Sequence, residues 1–443
     1  MRARSILTTL LSFAAALVPA AARSATGDRV LVVLGPKIER DHYKGFWSSL
    51  EERGYELTFT APSDELLLDA FGVPLHDHLI VFAPETQKFG KHVTPQVLFD
   101  AQGTYLNTLY VLSPEMSDTQ RILLEQYGVE AAPKGYQVRD AFSHVGGHES
   151  CCVVLPSSSN VAPAPMLSET GSIVFPHGTA FSLSSNPLLI DVLRAPATAY
   201  LGDKDGEAPS TKPGDAVKFA GEGMSAVAAL QTRANSRIGF VGSPAMLSDK
   251  WWGKQLDGTE TGNRAALEGL TRWLFQETGV IRVVSTNHHR VGETQPREAY
   301  TKKDEVEYEI TVQQYQTRGN LSRWGNWDGA MQLEFTMLDP HVRTELKPVA
   351  VRANGTTYAA TFKAPDRHGV FKFVVNYFRP GWSFLEAADR ASVVPLRHDE
   401  HPRFVTGAYP FYAGCLSTAA AFLVFTLLWM HLGEKDRTKK KAE

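Results

Sequence analysis

Seven residues, Asn287-His288-His289-Arg290-Val291-Gly292-Glu293, concentrate the groups that bind metals and move protons. Two adjacent imidazoles, a guanidinium and a carboxylate could make a metal site, an acid–base centre or a structural joint. Spacing argues against the metal. Neighbours on a strand face opposite sides, and neighbours on a helix diverge by about 100°, so His288 and His289 do not readily share one ion. A zinc centre needs further ligands, only Glu293 is nearby, and no His-Glu-x-x-His sequence occurs. No metal and no cofactor is expected. The favoured reading is structural, with Arg290 and Glu293 hydrogen-bonded across a joint between two domains.

Other chemistry is sparse. The chain has three cysteines, Cys151, Cys152 and Cys415. Adjacent Cys151 and Cys152 could pair only in a strained ring, so they read as thiols or as a transient disulfide. No Cys-x-x-Cys and no Gly-x-Ser-x-Gly or Gly-x-Cys-x-Gly elbow occurs. Gly221-Glu222-Gly223-Met224-Ser225-Ala226 fits a loose dinucleotide pattern but lacks its strand–turn–helix setting. Asp249-Lys250-Trp251-Trp252-Gly253 reads as aromatic packing. No catalytic residue is assigned.

The elements that must position these residues change character along the chain. Arg29–Leu34 is a β-branched apolar run, read as a buried strand. Residues 39–53 place Tyr43, Phe46, Trp47 and Leu50 on one helical face, with Gly54 after its end. Strands are expected at 55–60, 79–83, 108–113, 227–231 and 237–241, and helices at 118–127 and 263–278. This strand–helix alternation predicts an α/β domain with a parallel sheet over residues 27–280. After Gly279 the period falls from about 3.6 to 2. Strands at 306–313, 331–336, 358–363, 370–377 and 391–396 predict an antiparallel, immunoglobulin-like β-sandwich over residues 281–405.

Both ends carry membrane signals. Arg2, Arg4, the apolar run 6–18, Pro19 and Ala20-Ala21-Ala22 read as a signal peptide over residues 1–22. Residues 411–432 are uncharged and long enough for one transmembrane helix, with Tyr409, Phe411, Tyr412 and Trp429 at its edges. The basic tail 433–443 places the C-terminus in the cytosol and the bulk in the lumen, a type I single-pass arrangement in the lipid bilayer. Lys440 and Lys441 form a dilysine retrieval signal of the endoplasmic reticulum membrane. Asn320-Leu321-Ser322 and Asn354-Gly355-Thr356 make Asn320 and Asn354 candidate N-glycosylation sites. A net charge of −3 without a basic field gives no footprint for nucleic acid as a partner.

These residues resemble the 48 kDa subunit family of the oligosaccharyltransferase complex. The likeness runs from the first strand through Gly54-Tyr55-Glu56-Leu57-Thr58-Phe59, His288-His289-Arg290-Val291-Gly292-Glu293, Asp339-Pro340-His341-Val342-Arg343-Thr344 and Tyr409-Pro410-Phe411-Tyr412-Ala413 into the span. It implies an amidotransferase-like α/β domain without a nucleophile, and a non-catalytic accessory role in protein N-glycosylation. In that reaction a glycan moves en bloc from dolichyl diphosphate to Asn of Asn-x-Ser/Thr. It implies as partners a multispanning catalytic subunit, a ribophorin II-type subunit and a small DAD-type membrane subunit. It makes His288, His289, Arg290, Gly292 and Glu293 a structural or interface motif. Two readings stand beside it: a freestanding lumenal hydrolase or transferase of amidotransferase-like fold, and a lumenal cargo or sugar-binding receptor.

Overall fold

A computed structural model describes residues 23–145, 150–168, 170–203, 205–207, 219–256, 259–318, 321–353, 355–401 and 403–432. The expected signal peptide 1–22, Asn320, Asn354 and the tail 433–443 with Lys440 and Lys441 lie outside these residues.

The first unit is built on strands β1 (Arg29–Leu34), β2 (Glu56–Thr60), β3 (His78–Phe82), β4 (Asn107–Val111), β5 (Val129–Ala131), β6 (Cys152–Leu155), β7 (Ile173–Pro176), β8 (Phe181–Leu183), β9 (Leu189–Arg194), β10 (Ser225–Gln231) and β11 (Arg237–Val241). Nine of them form one sheet in the order β2-β1-β3-β4-β11-β10-β8-β5, with β9 also on β10. Strands β2, β1, β3, β4 and β11 are parallel. From β10 onward the pairs are antiparallel, so the sheet is mixed and the all-parallel expectation is corrected. The reason is length: Thr232–Ser236 is a tight turn, whereas a parallel crossover needs a dozen or so residues. The short β6–β7 ribbon stands apart.

Helices cover both faces, which is why the central strands read as unbroken apolar runs. Val30, Val32, Ile80 and Phe82 face α1 (Lys44–Glu52) and α4 (Asn263–Leu274). The alternate residues Leu31, Val33, Leu79 and Val81 face α2 (Pro95–Thr104) and α3 (Asp118–Tyr127). Ser117 caps α3 and Gly128, at φ 84°, ends it. The carboxylate of Asp249 accepts from the backbone N–H of Lys44 and Gly45, anchoring the start of α1. Trp251 and Trp252 are buried beside it, as packing residues.

The second unit contains β12 (Ile281–Arg290), β13 (Ala299–Thr301), β14 (Glu305–Arg318), β15 (Leu321–Gly325), β16 (Met331–Met337), β17 (Asp339–Arg352), β18 (Gly355–Lys363), β19 (Gly369–Tyr377) and β20 (Leu385–Val394). They form one sheet in the order β12-β14-β18-β17-β16-β19-β20-β13, with β15 on β14. The expected two-sheet sandwich is corrected to a single sheet rolled nearly shut. The long β17 causes the roll: residues 339–346 pair with β16 and residues 347–352 with β18. Pairing is antiparallel except β13 against β20. Alternate residues of facing strands, among them Tyr308, Ile310, Leu333, Phe335, Phe371 and Phe373, fill the interior.

The two units meet around Arg237, whose side chain is wholly buried. Its guanidinium donates to the carbonyls of Trp273 (2.6 Å), Thr278 (2.7 Å) and Gly279 (2.7 Å) just past the end of α4, and lies over the Trp273 ring. From the second unit, Ser383 N–H donates to Gly279 O at 2.7 Å, and Trp273 Nε1 donates to Gly381 O at 2.8 Å. Gly279 has φ 68°, and a Cβ there would stand 2.2 Å from Gly381 O.

Helix α5 (Tyr409–His431) has no buried residue, and the span Thr406–His431 has a peak mean hydropathy of 1.9. A helix apolar on every side and packed on nothing is stable in lipid rather than water. Its hydroxyls turn inward: Ser417 and Thr418 donate to Gly414 O, and Thr426 to Phe422 O.

Two stability predictions follow from this packing. Arg237→Met leaves the Thr278 carbonyl without its donor, while Trp273 O keeps Gln276 N–H and Gly279 O keeps Ser383 N–H, and should cost about 1–3 kcal/mol; Gly279→Ala meets both strain and overlap and should cost at least about 2 kcal/mol. Thermal melts of the detergent-solubilised chain, monitored by tryptophan fluorescence, check both; unchanged midpoints would remove Arg237 and Gly279 from the joint. The second concerns pH. His78 is buried between Gly27 O and Asn107 Nδ2, and burial pushes it down from 6.5 to about 4. Between those values the unfolded chain binds a proton that the folded ring refuses, so stability falls as pH drops from 6.5 towards 4, by about 3 kcal/mol. Urea midpoints at pH 7 and pH 4.5 should diverge less in His78→Gln than in the unmodified chain.

Candidate functional site

The histidine block occupies the end of β12 and the turn after it. Registers His288↔Tyr308 and His289↔Glu307 put the two rings on opposite faces of the strand. His288 turns inward. Its Nδ1 lies 2.8 Å from Tyr300 Oη, and its ring stacks on Phe373 at 4.7 Å. Burial lowers the His288 pKa and raises that of Tyr300 to about 12, so at neutral pH a neutral imidazole and a neutral phenol share one hydrogen bond. His289 is buried on the other face, with Nδ1 3.2 Å from Arg290 O. Gly292 takes φ 91° in the turn, closed by Glu293 N–H to Arg290 O at 2.9 Å.

Arg290 Nη2 lies 3.3 Å from Asp304 Oδ1, and Glu293 takes Arg297 Nε at 2.6 Å. Both pairs stay inside the second unit. The expectation that Arg290 and Glu293 bridge the domain joint is therefore corrected. Strand β12 leaves the joint at Ile281, and at about 3.3 Å per residue His288 is about 23 Å further on.

The first unit offers two other places where chemistry could occur. Beyond the C-terminal ends of β1 and β3, Gly35-Pro36-Lys37-Ile38 and Ala83-Pro84-Glu85-Thr86 line a crevice of about 220 Å³. The strand order 2-1-3-4 makes this the point where successive connections run in opposite directions, the usual ligand position in open α/β sheets. Lys37 Nζ and Glu85 Oε2, both exposed, form an ion pair of 2.5 Å along its lining. The loose glycine pattern at Gly221 is a short 3₁₀ turn entering β10, not a phosphate loop.

The second place was not assembled by sequence reasoning. Cys151 and Cys152 meet His177, which follows β7. Cys151 Sγ lies 3.2 Å from His177 Nδ1, and Cys152 Sγ lies 4.0 Å from Nε2. The two cysteines are buried and the imidazole is exposed. The β6–β7 ribbon brings them together by pairing Cys152 with Pro176. The available signal was the paired cysteines followed by a histidine after a second short apolar run, and nothing in the spacing fixes that ribbon's register.

These features define a two-unit protein, a three-layer α/β unit and a rolled β-sheet, followed by one apolar helix long enough to cross a membrane. The family profile described as OST48, N-terminal domain matches residues 21–277, and that of the OST48 middle domain matches residues 288–433. The chain belongs to the OST48 family. Relatives named dolichyl-diphosphooligosaccharide–protein glycosyltransferase 48 kDa subunit include one from Danio rerio, 35% identical over 93% of each chain. Those from Drosophila melanogaster (30%, covering 94% of this chain and 95% of the relative) and Caenorhabditis elegans (31%, 94% of each) carry the same name. A solved ThuA-like protein from Parabacteroides merdae aligns with 56% of this chain and 88% of its own, at 10% identity and a TM-score of 0.29, too low to support an argument.

The block's geometry separates a packed ring from an exposed ion pair. His288→Ala should cost about 2–4 kcal/mol, because it leaves a cavity against Phe373 and strips Tyr300 of its acceptor. Glu293→Ala removes a solvent-exposed pair and should cost under about 1 kcal/mol. Chemical denaturation of the two variants side by side checks the order; a larger loss for Glu293→Ala would reverse this assignment.

Proposed function

We propose that this chain is a non-catalytic accessory subunit of the endoplasmic reticulum oligosaccharyltransferase, held in the membrane by α5 with both sheet units in the lumen and the C-terminus in the cytosol. Family membership makes it a subunit working in protein N-glycosylation. The observation that carries the accessory role is the lone helix: among the described residues, only one is long and apolar enough to cross a bilayer. A site that handles a lipid-linked diphosphate needs several membrane elements around it, and these belong to a multispanning partner. Ribophorin II-type and DAD-type subunits complete the proposed set of partners.

The strand order of the first unit is compatible with an amidotransferase-like ancestry, and its strand-end crevice is lined by an ion pair, with no cysteine or serine among its lining residues. We assign residues 27–280 and 281–405 as the two lumenal domains, and His288, His289, Arg290, Gly292 and Glu293 as a structural motif of the second. Asn320 and Asn354 would carry glycans, and Lys440 and Lys441 would retain the chain in the endoplasmic reticulum.

Affinity purification of the tagged full chain in mild detergent, with mass spectrometry and an assay for glycan transfer to an Asn-x-Thr peptide, tests this reading. Transfer activity should co-purify with a multispanning protein and be absent from the chain purified alone. Turnover of the donor by the chain alone would overturn the accessory role.

A further inference from the structure

The cluster of Cys151, Cys152 and His177 lies away from both the histidine block and the strand-end crevice. We propose that it is a binding site for a thiophilic d¹⁰ cation, with Zn²⁺ as the reference ion, built from both thiolates and the imidazole.

Three independent features support it. The first is the donor set. Two sulfurs and one aromatic nitrogen select zinc-like ions and exclude calcium and magnesium, which take oxygen ligands. The three ligand atoms all lie within 4.8 Å of one another. Tetrahedral zinc, with bonds of about 2.3 Å to sulfur and about 2.0 Å to nitrogen, separates its ligand atoms by about 3.5–3.8 Å. Closing the cluster on an ion therefore asks for side-chain rotation of about 1 Å.

The second is how the backbone brings neighbours together. Consecutive residues in a strand point to opposite faces, which would part the two sulfurs. Here Cys151 sits in the turn before β6 begins at Cys152, and both sulfurs reach the same ring. The ring is itself held in place. His177 N–H donates to Cys151 O at 2.9 Å, and the next residue, Gly178, accepts from Val138 N–H at 2.8 Å. His177 adopts φ 48°, a left-handed conformation costly for a side chain of this size. Glycine or asparagine would fill that position more cheaply, so the imidazole is kept there against a local preference.

The third is the surrounding shell. Gln137 Oε1 lies 3.4 Å from His177 Nδ1. Cys151 Sγ approaches this same Nδ1 at 3.2 Å and Cys152 Sγ lies by Nε2, so binding an ion through Nε2 moves Cys151 Sγ off Nδ1 and leaves an Nδ1–H to donate to Gln137, the arrangement that orients metal-bound histidines elsewhere. Arg139 Nη1 donates to Ser150 Oγ at 3.2 Å, which holds the residue before Cys151 in place. Cys152 packs with Val145, Val174 and Trp251 in a small apolar cluster, which limits water on the buried side.

The test uses the full chain, reduced and stripped of metal in detergent, in a Cys415→Ser background so that only Cys151 and Cys152 supply sulfur. Titration with Cd²⁺ reads thiolate-to-metal charge transfer in the ultraviolet, and competition with Zn²⁺ gives affinity. One ion per chain is expected. Cys151→Ser and Cys152→Ser should each abolish the band or shift it strongly, and His177→Gly should weaken binding by more than about 100-fold. Gln137→Ala, an outer partner, should weaken it by about 10–100-fold. His177→Gly removes the left-handed strain and preserves the fold, so its melting point should hold or rise, which separates loss of a ligand from loss of structure. No charge-transfer band in the reduced parent chain, or a band that survives both serine substitutions, would overturn the proposal.

Discussion

The fold turns on a cation buried without a carboxylate. Arg237 is wholly inside, and desolvation lowers its pKa to about 9, yet it remains charged at neutral pH. What offsets the loss of water is the run of backbone carbonyls at the C-terminal end of α4, where the peptide dipoles leave net negative character. Satisfying that cation fixes the path of the chain through Trp273, Thr278 and Gly279. It therefore fixes where β12 starts. Gln231 and Asn235, flanking the turn between β10 and β11, donate to Trp382 O and Phe384 O, so the same turn also holds the segment between β19 and β20. A second buried group steadies the other side of α4: Arg53 donates to Glu277 at 2.8 Å, with Tyr55 on the same carboxylate.

With the joint fixed, the two sites divide the work differently. The histidine block sits at the far end of β12. Its conspicuous charges are half in solvent and belong to a turn, while partly buried His288 stacks on the core ring of Phe373 and His289 is buried on the opposite face. The cysteine–histidine cluster inverts this pattern. Its sulfurs are buried and its imidazole faces solvent on a strained backbone, an arrangement that packing alone does not require. The residue types that look most like chemistry in the sequence are thus engaged in packing and turn contacts, and the cluster least visible in the sequence is the one whose ligand atoms converge.

Much of the fold was legible because burial leaves a period. The central strands of the first sheet are covered on both faces and read as apolar runs; α3 begins and ends at the residues its cap and its glycine indicate. Three things were not legible. Strand β17 carries Pro340 and Pro348 and has most of its side chains exposed, so it shows little apolar alternation even though it rolls the second sheet. The change from parallel to antiparallel at β10 lay in the shortness of the turn 232–236, a matter of length rather than composition. The cluster at Cys151 depended on the register of a ribbon whose two strands are separated by an irregular connection, and register between short strands is set by contacts that the local sequence does not encode. For the histidine block, the sequence carried the argument against a shared metal, since alternation on a strand suffices, but not the partners Tyr300 and Phe373, which come from other strands.

Among the described residues one helix is long and apolar enough to cross a bilayer, and it constrains what the rest of the chain can be for. An uncharged helix with no packed face gives anchorage and a surface for other helices, whereas chemistry on a lipid-linked substrate inside the bilayer requires polar groups held at depth by several spans. The hydroxyls in the middle of α5, those of Ser417, Thr418 and Thr426, are bonded to their own backbone. Among the described residues, most of the polar and charged side chains lie in the two sheet units rather than in the helix. By tying the rolled sheet, from which α5 descends, to the α/β unit through backbone carbonyls, the Arg237 joint sets how the larger unit is carried relative to the anchor.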